Sequence, residues 1–190
     1  MKYITIALAK GRLAQITLEF LEKIGITCEE IKDKSSRKLI FENGAADIGV
    51  VGKDTILEES RKILEVLDLN IGKCKMCVCG PNSAKELLKR NEIIRVATKY
   101  PVIAKNYFYL KKHQTVEIIK LNGSIELAPI VGLSEVIVDI VETGSTLREN
   151  GLEVLEEICD LSARLVVNEV SMKMQHDRIT ALIKELKSIL

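Results

Sequence analysis

Short apolar runs alternate along the chain with stretches in which apolar residues recur every three or four positions. Residues 3–9 (YITIALA) form a nearly continuous apolar run, the pattern of a strand buried on both faces. Lys10-Gly11-Arg12 breaks it, Leu13, Ile16, Phe20, Leu21 and Ile24 follow at helical spacing, and Gly25 stops the helix. A second strand is predicted over 47–51 and ends in Gly52-Lys53-Asp54. Beyond it Ile56, Leu57 and a charged tail predict a helix with Asp54 as its N-cap. Further strands are predicted over 93–97, 116–120, 136–141 and 165–167, and KMCVCG (75–80) reads as a buried strand. Helices are predicted over 102–110 after Pro101, over 126–133, and near the C-terminus, where Ile179, Leu182, Ile183, Leu186 and Ile189 mark an apolar stripe. Residues 151–159 fit neither period cleanly. Alternating strands and helices predict an α/β protein with a parallel or mostly parallel sheet. One spacing is awkward. RKLIF (37–41) reads as a strand, yet only residues 42–46 separate it from the next one, too few for a parallel crossover. Either the two form a hairpin or an element is absent.

Composition narrows the classes. At 190 residues the chain is long enough for one large or two small domains. It is 47% hydrophobic and 29% charged, as in ordinary globular proteins. A net charge of +1 supplies no basic field for nucleic acid, and 4% aromatics with no Trp argue against base-stacking platforms. The N-terminal apolar run is too short for a signal peptide and no run approaches a membrane span, so a cytoplasmic protein with no membrane or nucleic-acid partner is expected. The five cysteines form no metal-ligand pattern. Cys74 and Cys77 lack a second pair and the two histidines are remote, so no resident metal site is expected.

The chemistry concentrates in loops. In VDIVETGSTL (138–147) a strand runs into Asp139 and Glu142, then into the small-residue turn Thr143-Gly144-Ser145-Thr146-Leu147. Backbone N–H groups and hydroxyls in such a turn suit a terminal phosphate, and Gly144 lets the backbone curl close. The two carboxylates would be repelled by that phosphate, so they address sugar hydroxyls or a bound Mg²⁺. A sugar phosphate meets both demands; the bland alternative is an N-capped turn with solvated acids. Lys10-Gly11-Arg12, at the end of the first strand, suits a diphosphate or triphosphate, and Gly52-Lys53-Asp54 is a similar loop. Neither is a Walker A sequence.

With those residues in view, ITIALAKGRL (4–13), ADIGVVGKD (46–54), RVATK (95–99) and above all ELAPIVGLSEVIVDIVETGSTL (126–147) resemble ATP phosphoribosyltransferase, in its short form without a C-terminal regulatory domain. The resemblance implies two α/β domains like a type II periplasmic binding protein, with the active site in the interdomain cleft. It places 1–79 plus 164–190 in a discontinuous domain I and 80–163 in domain II, which binds phosphoribosyl pyrophosphate. The family carries a further strand and helix between RKLIF and the equivalent of GAADIGVV, whereas here Asn43 directly follows Glu42.

The implied reaction is the first step of histidine biosynthesis, in which N1 of ATP displaces pyrophosphate from phosphoribosyl pyrophosphate. On this reading Thr143–Leu147 hold the 5′-phosphate and Asp139 and Glu142 the ribose hydroxyls. Mg²⁺ arrives on the pyrophosphate, Lys10, Arg12 and Arg37 stabilise the leaving group, and Gly123, Ser124 and Glu126 line the ATP side. Gly52, Lys53 and Asp54 are further candidate substrate contacts. The implied partner is a regulatory subunit related to histidyl-tRNA synthetase, with a homodimer of this chain inside a hetero-octamer. The rival readings are a two-domain solute-binding module without chemistry and a phosphoribosyltransferase acting on a free base.

Overall fold

Burial of successive apolar runs on both faces requires sheets covered on each side. Of the two sheets among the described residues of the computed structural model, the second is covered on both faces. The core of the first lies on the face that carries Ile6, Ile48, Val50 and Leu165, and Ala7 on its other face is exposed, so the run 3–9 is not buried on both faces as its pattern predicts. The structure describes residues 3–8, 11–27, 46–90 and 92–190. RKLIF and the 42–46 junction lie outside the described residues, apart from Ala46. The chain divides into two units. The first takes Met1–Lys53, Arg61–Gly72 and Ser162–Leu190; the second takes Asp54–Ser60 and Lys73–Leu161.

In the first unit, β1 (Ile6–Leu8) runs parallel to β2 (Ile48–Gly52), and β9 (Ala163–Val167) lies antiparallel between β2 and β3 (Leu64–Asp68). Helices α1 (Arg12–Lys23) and α8 (His176–Ser188) turn apolar faces to this sheet, so that Leu21, Ile179, Leu182 and Leu186 pack with Ile48, Val50, Leu165 and Val167. The buried Asp47 carboxylate ties the strand entrances to the C-terminal segment. It accepts from Thr5 N at 2.8 Å, from Ser171 Oγ at 2.6 Å and from Gln175 Nε2 at 3.3 Å. Asn168 caps α7 (Glu169–Met174) by accepting from Val170 N and Ser171 N, a contact of the kind that contributes about 1 kcal/mol.

In the second unit the sheet order is β6 (Val116–Lys120), β5 (Ile94–Thr98), β7 (Val136–Val141), β4 (Cys74–Gly80), β8 (Glu153–Leu161). The first three strands are parallel, whereas β4 is antiparallel to both its neighbours. One face packs Met76, Val78, Val96 and Val138 against Ile103, Ala104 and Phe108; the other packs Cys77, Cys79, Ala97 and Ile137 with Leu147 and Leu152. The first layer of cover comes from α4 (Pro101–Lys105), which begins on its proline and continues as a wider π-helical turn, Asn106–Lys111. KMCVCG is thus a core strand, and burial pushes the Cys77 thiol up to about 11, which keeps it protonated and unreactive.

The differences from the sequence reading have physical causes. Both sheets are mixed rather than mostly parallel, because a run of apolar residues reports burial on two faces and carries no information on strand direction. The helix after β2 is α2 (Lys53–Glu59), so Asp54 lies in its first turn and does not cap it. It stops early, with Ser60 at φ 48°, and the supposed helical tail contains β3 instead. Residues 151–159 resolve into a turn and β8. β4, grouped by sequence with the N-terminal part, pairs in the second sheet.

Candidate active site

Parallel strands deliver their carboxyl ends to one edge, where ligands bind in open α/β sheets. In the second unit three exits meet there: Thr98–Tyr100 after β5, Leu121–Glu126 after β6, and Asp139–Ser145 through the end of β7. Asp139 occupies the outer part of β7, opposite Cys77 of β4, with its carboxylate half-buried. Oδ1 accepts from Ile140 N at 2.8 Å. Burial pushes the Asp139 carboxyl above its usual range against that hydrogen bond; Glu126 adds to the rise and Lys99 opposes it. Glu126 and Lys99, from the neighbouring exits, therefore share one electrostatic environment with Asp139.

Glu142 and Thr143 follow as exposed residues, and Gly144 takes a left-handed φ of 70° that opens α6 (Ser145–Glu149). Thr143 and Ser145 share a hydroxyl–hydroxyl bond of 3.0 Å, and Thr143 Oγ1 also accepts a long bond of 3.4 Å from Ser145 N. Ser145 and Thr146 are exposed, while Leu147 is buried and anchors α6 to the sheet. Leu147 is therefore a packing residue whose backbone is what remains for a ligand. Arg148 folds back over the turn, with Nη1 donating to Thr143 O at 3.2 Å. A cation thus sits beside the small-residue turn, which offsets the adjacent carboxylates where an anion would bind.

Of the other predicted residues, Gly123 and Ser124 are exposed in the β6 exit, Ser124 at a left-handed φ of 50°. Asp54 belongs to the second unit. Both Asp54 and Asp139 help raise the Tyr100 phenol far above its ordinary range, after burial as the main cause, so the structure brings these two acids towards one ring. Gly52 closes β2 and Lys53, in the first unit, donates to Glu65. Arg12 is the exposed first residue of α1, after β1; β1 and β2 being parallel, Arg12 and Gly52-Lys53 stand at the same edge of the first sheet. Lys10 and Arg37 lie outside the described residues. Among the described residues no group of three or more His, Cys, Asp or Glu side chains could hold a metal ion.

Sequence reading missed Arg148, Thr98 and Glu58. Arg148 stands four positions after Gly144, one helical turn on, and that spacing was a usable signal. Glu58 of α2 accepts from Val102 N and Ile103 N at 3.0–3.1 Å, fixing the start of α4 after the β5 exit; its partners lie 44 and 45 positions away, beyond any local pattern.

Comparison with known proteins first defines the class. SsuA, the periplasmic aliphatic sulphonate binding protein of Escherichia coli, shares the fold at TM-score 0.52 and 11% identity, over 76% of this chain and 55% of that one. The chain thus has a periplasmic-binding-protein-like α/β architecture. Within that class, the ATP phosphoribosyltransferase family profile matches residues 38–188. ATP phosphoribosyltransferase of Lachnoclostridium phytofermentans is 72% identical over 211 positions, covering 100% of this chain and 98% of that protein. The Lachnospira eligens enzyme is 65% identical over 98% of this chain and 96% of its own. The ATP phosphoribosyl transferase (HisG:HisZ) complex from Thermotoga maritima superposes at TM-score 0.79 with 31% identity, covering 98% of both chains. The chain belongs to the ATP phosphoribosyltransferase family, the pentosyltransferases of the first step of histidine biosynthesis. The 211 aligned positions exceed the 190 residues here, so the Lachnoclostridium protein carries residues with no counterpart in this chain. No helix among the described residues is long and apolar enough to cross a membrane.

Proposed function

We propose that this chain transfers the phosphoribosyl group of phosphoribosyl pyrophosphate to N1 of ATP and releases pyrophosphate, with the donor held at the β7 exit. The observation that carries the assignment is the succession, along one strand end, of a half-buried carboxylate, an exposed carboxylate and a glycine turn overlaid by Arg148. The 5′-phosphate takes the N–H groups and hydroxyls of Thr143–Thr146 together with Arg148. Asp139 and Glu142 accept from the ribose hydroxyls. As the glycosidic bond stretches, positive charge grows on the ribose and negative charge on pyrophosphate. Lys10, Arg12 and Arg37 stabilise the latter, a role in which one lost contact costs about 3 kcal/mol. Adenine N1 carries its own lone pair, so the attack needs no general base. ATP approaches along Gly123, Ser124 and Glu126, with Gly52, Lys53 and Asp54 as further contacts. Mg²⁺ enters on the pyrophosphate, in keeping with its preference for substrate phosphates and retained waters. The HisG:HisZ assembly of the Thermotoga relative supports a HisZ-type regulatory partner. On this reading that partner is related to histidyl-tRNA synthetase and joins a homodimer of this chain in a hetero-octamer. The site of action is the cytoplasm.

Calorimetric titration with phosphoribosyl pyrophosphate tests the division of labour. Asp139→Asn and Thr146→Val each weaken donor binding, and only Thr146→Val also weakens binding of ribose 5-phosphate's phosphate mimic, inorganic phosphate. Unchanged donor affinity in both variants overturns the assignment. A spectrophotometric assay with ATP, donor and Mg²⁺, with and without the partner, separates the transferase from a solute binder and from an enzyme using a free base.

A further inference from the structure

We propose that Thr98 is a positioning residue for Asp139, its hydroxyl fixing the peptide plane ahead of that carboxylate. The inference rests on the assignment of Asp139 to the donor's ribose. Thr98 is the last residue of β5, fully buried, and stands opposite Val138 on the last rung of the parallel ladder. Its Oγ1 donates to Val138 O at 2.6 Å and accepts from Tyr100 N at 2.9 Å, while its own carbonyl accepts from Leu121 N at 3.0 Å. One residue therefore joins the exits of β5, β6 and β7.

The consequence for Asp139 is geometric. The carbonyl of Val138 and the N–H of Asp139 share one rigid peptide plane, so the Thr98 hydroxyl sets the rotation of the unit from which Asp139 leaves. On the far side Asp139 Oδ1 accepts from Ile140 N, which fixes the carboxylate against the next peptide. The backbone ahead of Asp139 is held by Thr98 and the carboxylate by its own neighbour. The bond from Tyr100 N to Thr98 Oγ1 also ties the β5 exit back onto Thr98, and Lys99, which stands between them, is one of the charges that act on Asp139. A valine at 98 fills the same space and supplies neither bond, so the half-buried Tyr100 N–H loses its acceptor and the Val138 carbonyl keeps only its place in the parallel ladder, without the hydroxyl that fixes its tilt.

The test is a double-mutant cycle on the full chain with its regulatory partner, reading KM for phosphoribosyl pyrophosphate, KM for ATP and the thermal midpoint. Thr98→Val raises the donor KM by roughly ten- to a hundred-fold, the scale on which a slightly displaced binding group acts, and leaves the ATP KM near its parent value. Thr98→Ser, which keeps the hydroxyl, restores the donor KM. In an Asp139→Asn background Thr98→Val adds little. Where Thr98→Val yields no folded protein, Thr98→Cys, which fits the site and bonds weakly, takes its place in the cycle. A parent-like donor KM, an equal rise in both KM values, or full additivity with Asp139→Asn overturns the positioning role while leaving the ribose assignment intact. An Asp139→Asn variant with unchanged donor KM overturns the ribose assignment itself, and the positioning role with it.

Discussion

Asp139 places a charged group where burial disfavours it, and this fixes the sign of a stability effect. Its carboxyl binds a proton more tightly in the native state than in the unfolded chain. Between the ordinary carboxylate range and the raised native value, the native protein therefore holds more protons than the unfolded one, and stability falls as pH rises through that window. Asp139→Asn removes this slope. Urea unfolding at neutral and mildly acidic pH is expected to find the variant at least as stable as its parent at neutral pH, and least advantaged in acid, although its donor binding is impaired. Gly144 makes the opposite case. At φ 70° a Cβ is strained, and it would also meet Arg148 Nη1 at 3.2 Å. Gly144→Ala should cost about 1 kcal/mol or more in thermal unfolding and should weaken donor binding by displacing the guanidinium. At this scale the candidate site is legible in the sequence where it is contiguous, as in the proposed donor turn Glu142–Thr146. The sequence is silent where partners are far apart: Thr98 meets Val138 across 40 positions, and no local period records that.

Elements were legible to the extent that burial is two-sided. β5, β6 and β7 appear as apolar runs because both faces of their sheet are covered, whereas β2 is an apolar run whose described core lies on the face of Ile48 and Val50. β3 was not, since its first residues, Leu64 and Glu65, are exposed and its charges continue those of α2. β8 was ambiguous because its burial is partial along most of its length and its pairing with β4 shifts register twice. The C-terminal stripe was read correctly, and the structure shows what it packs against. Ile179 is fully buried against the first sheet, so Ile179→Ala should destabilise the first unit by about 2–5 kcal/mol. Denaturant titration followed by far-ultraviolet circular dichroism measures that loss, and a change under 1 kcal/mol, the scale of a single buried methylene, would show that α8 is not held there.

For the whole molecule, the long motif at 126–147 made the family legible, because strand, turn and helix follow one another in a single stretch. Strand direction and the membership of β4 were not, because both depend on pairings that periodicity does not encode. The chain passes between the two units at residues 53/54, 60/61, 72/73 and 161/162, so neither unit is one continuous segment. Removing residues 162–190 takes away β9, the only link between β2 and β3 in the described sheet. Hydrogen exchange on that truncated chain is expected to show lost protection in β1, β2 and β3 and retained protection in β5 and β7. Retained protection throughout would mean that the first sheet closes without β9.

The interior place of β9 also sets an order of events at the ribosome. Every strand of the second sheet has been made by Leu161, whereas the first sheet waits for Ala163–Val167 although β1 and β2 emerge far earlier. During synthesis β2 and β3 therefore carry open edges for most of the chain's length, the condition under which nascent strands pair wrongly or recruit chaperones. The half of the molecule that is begun first is finished last.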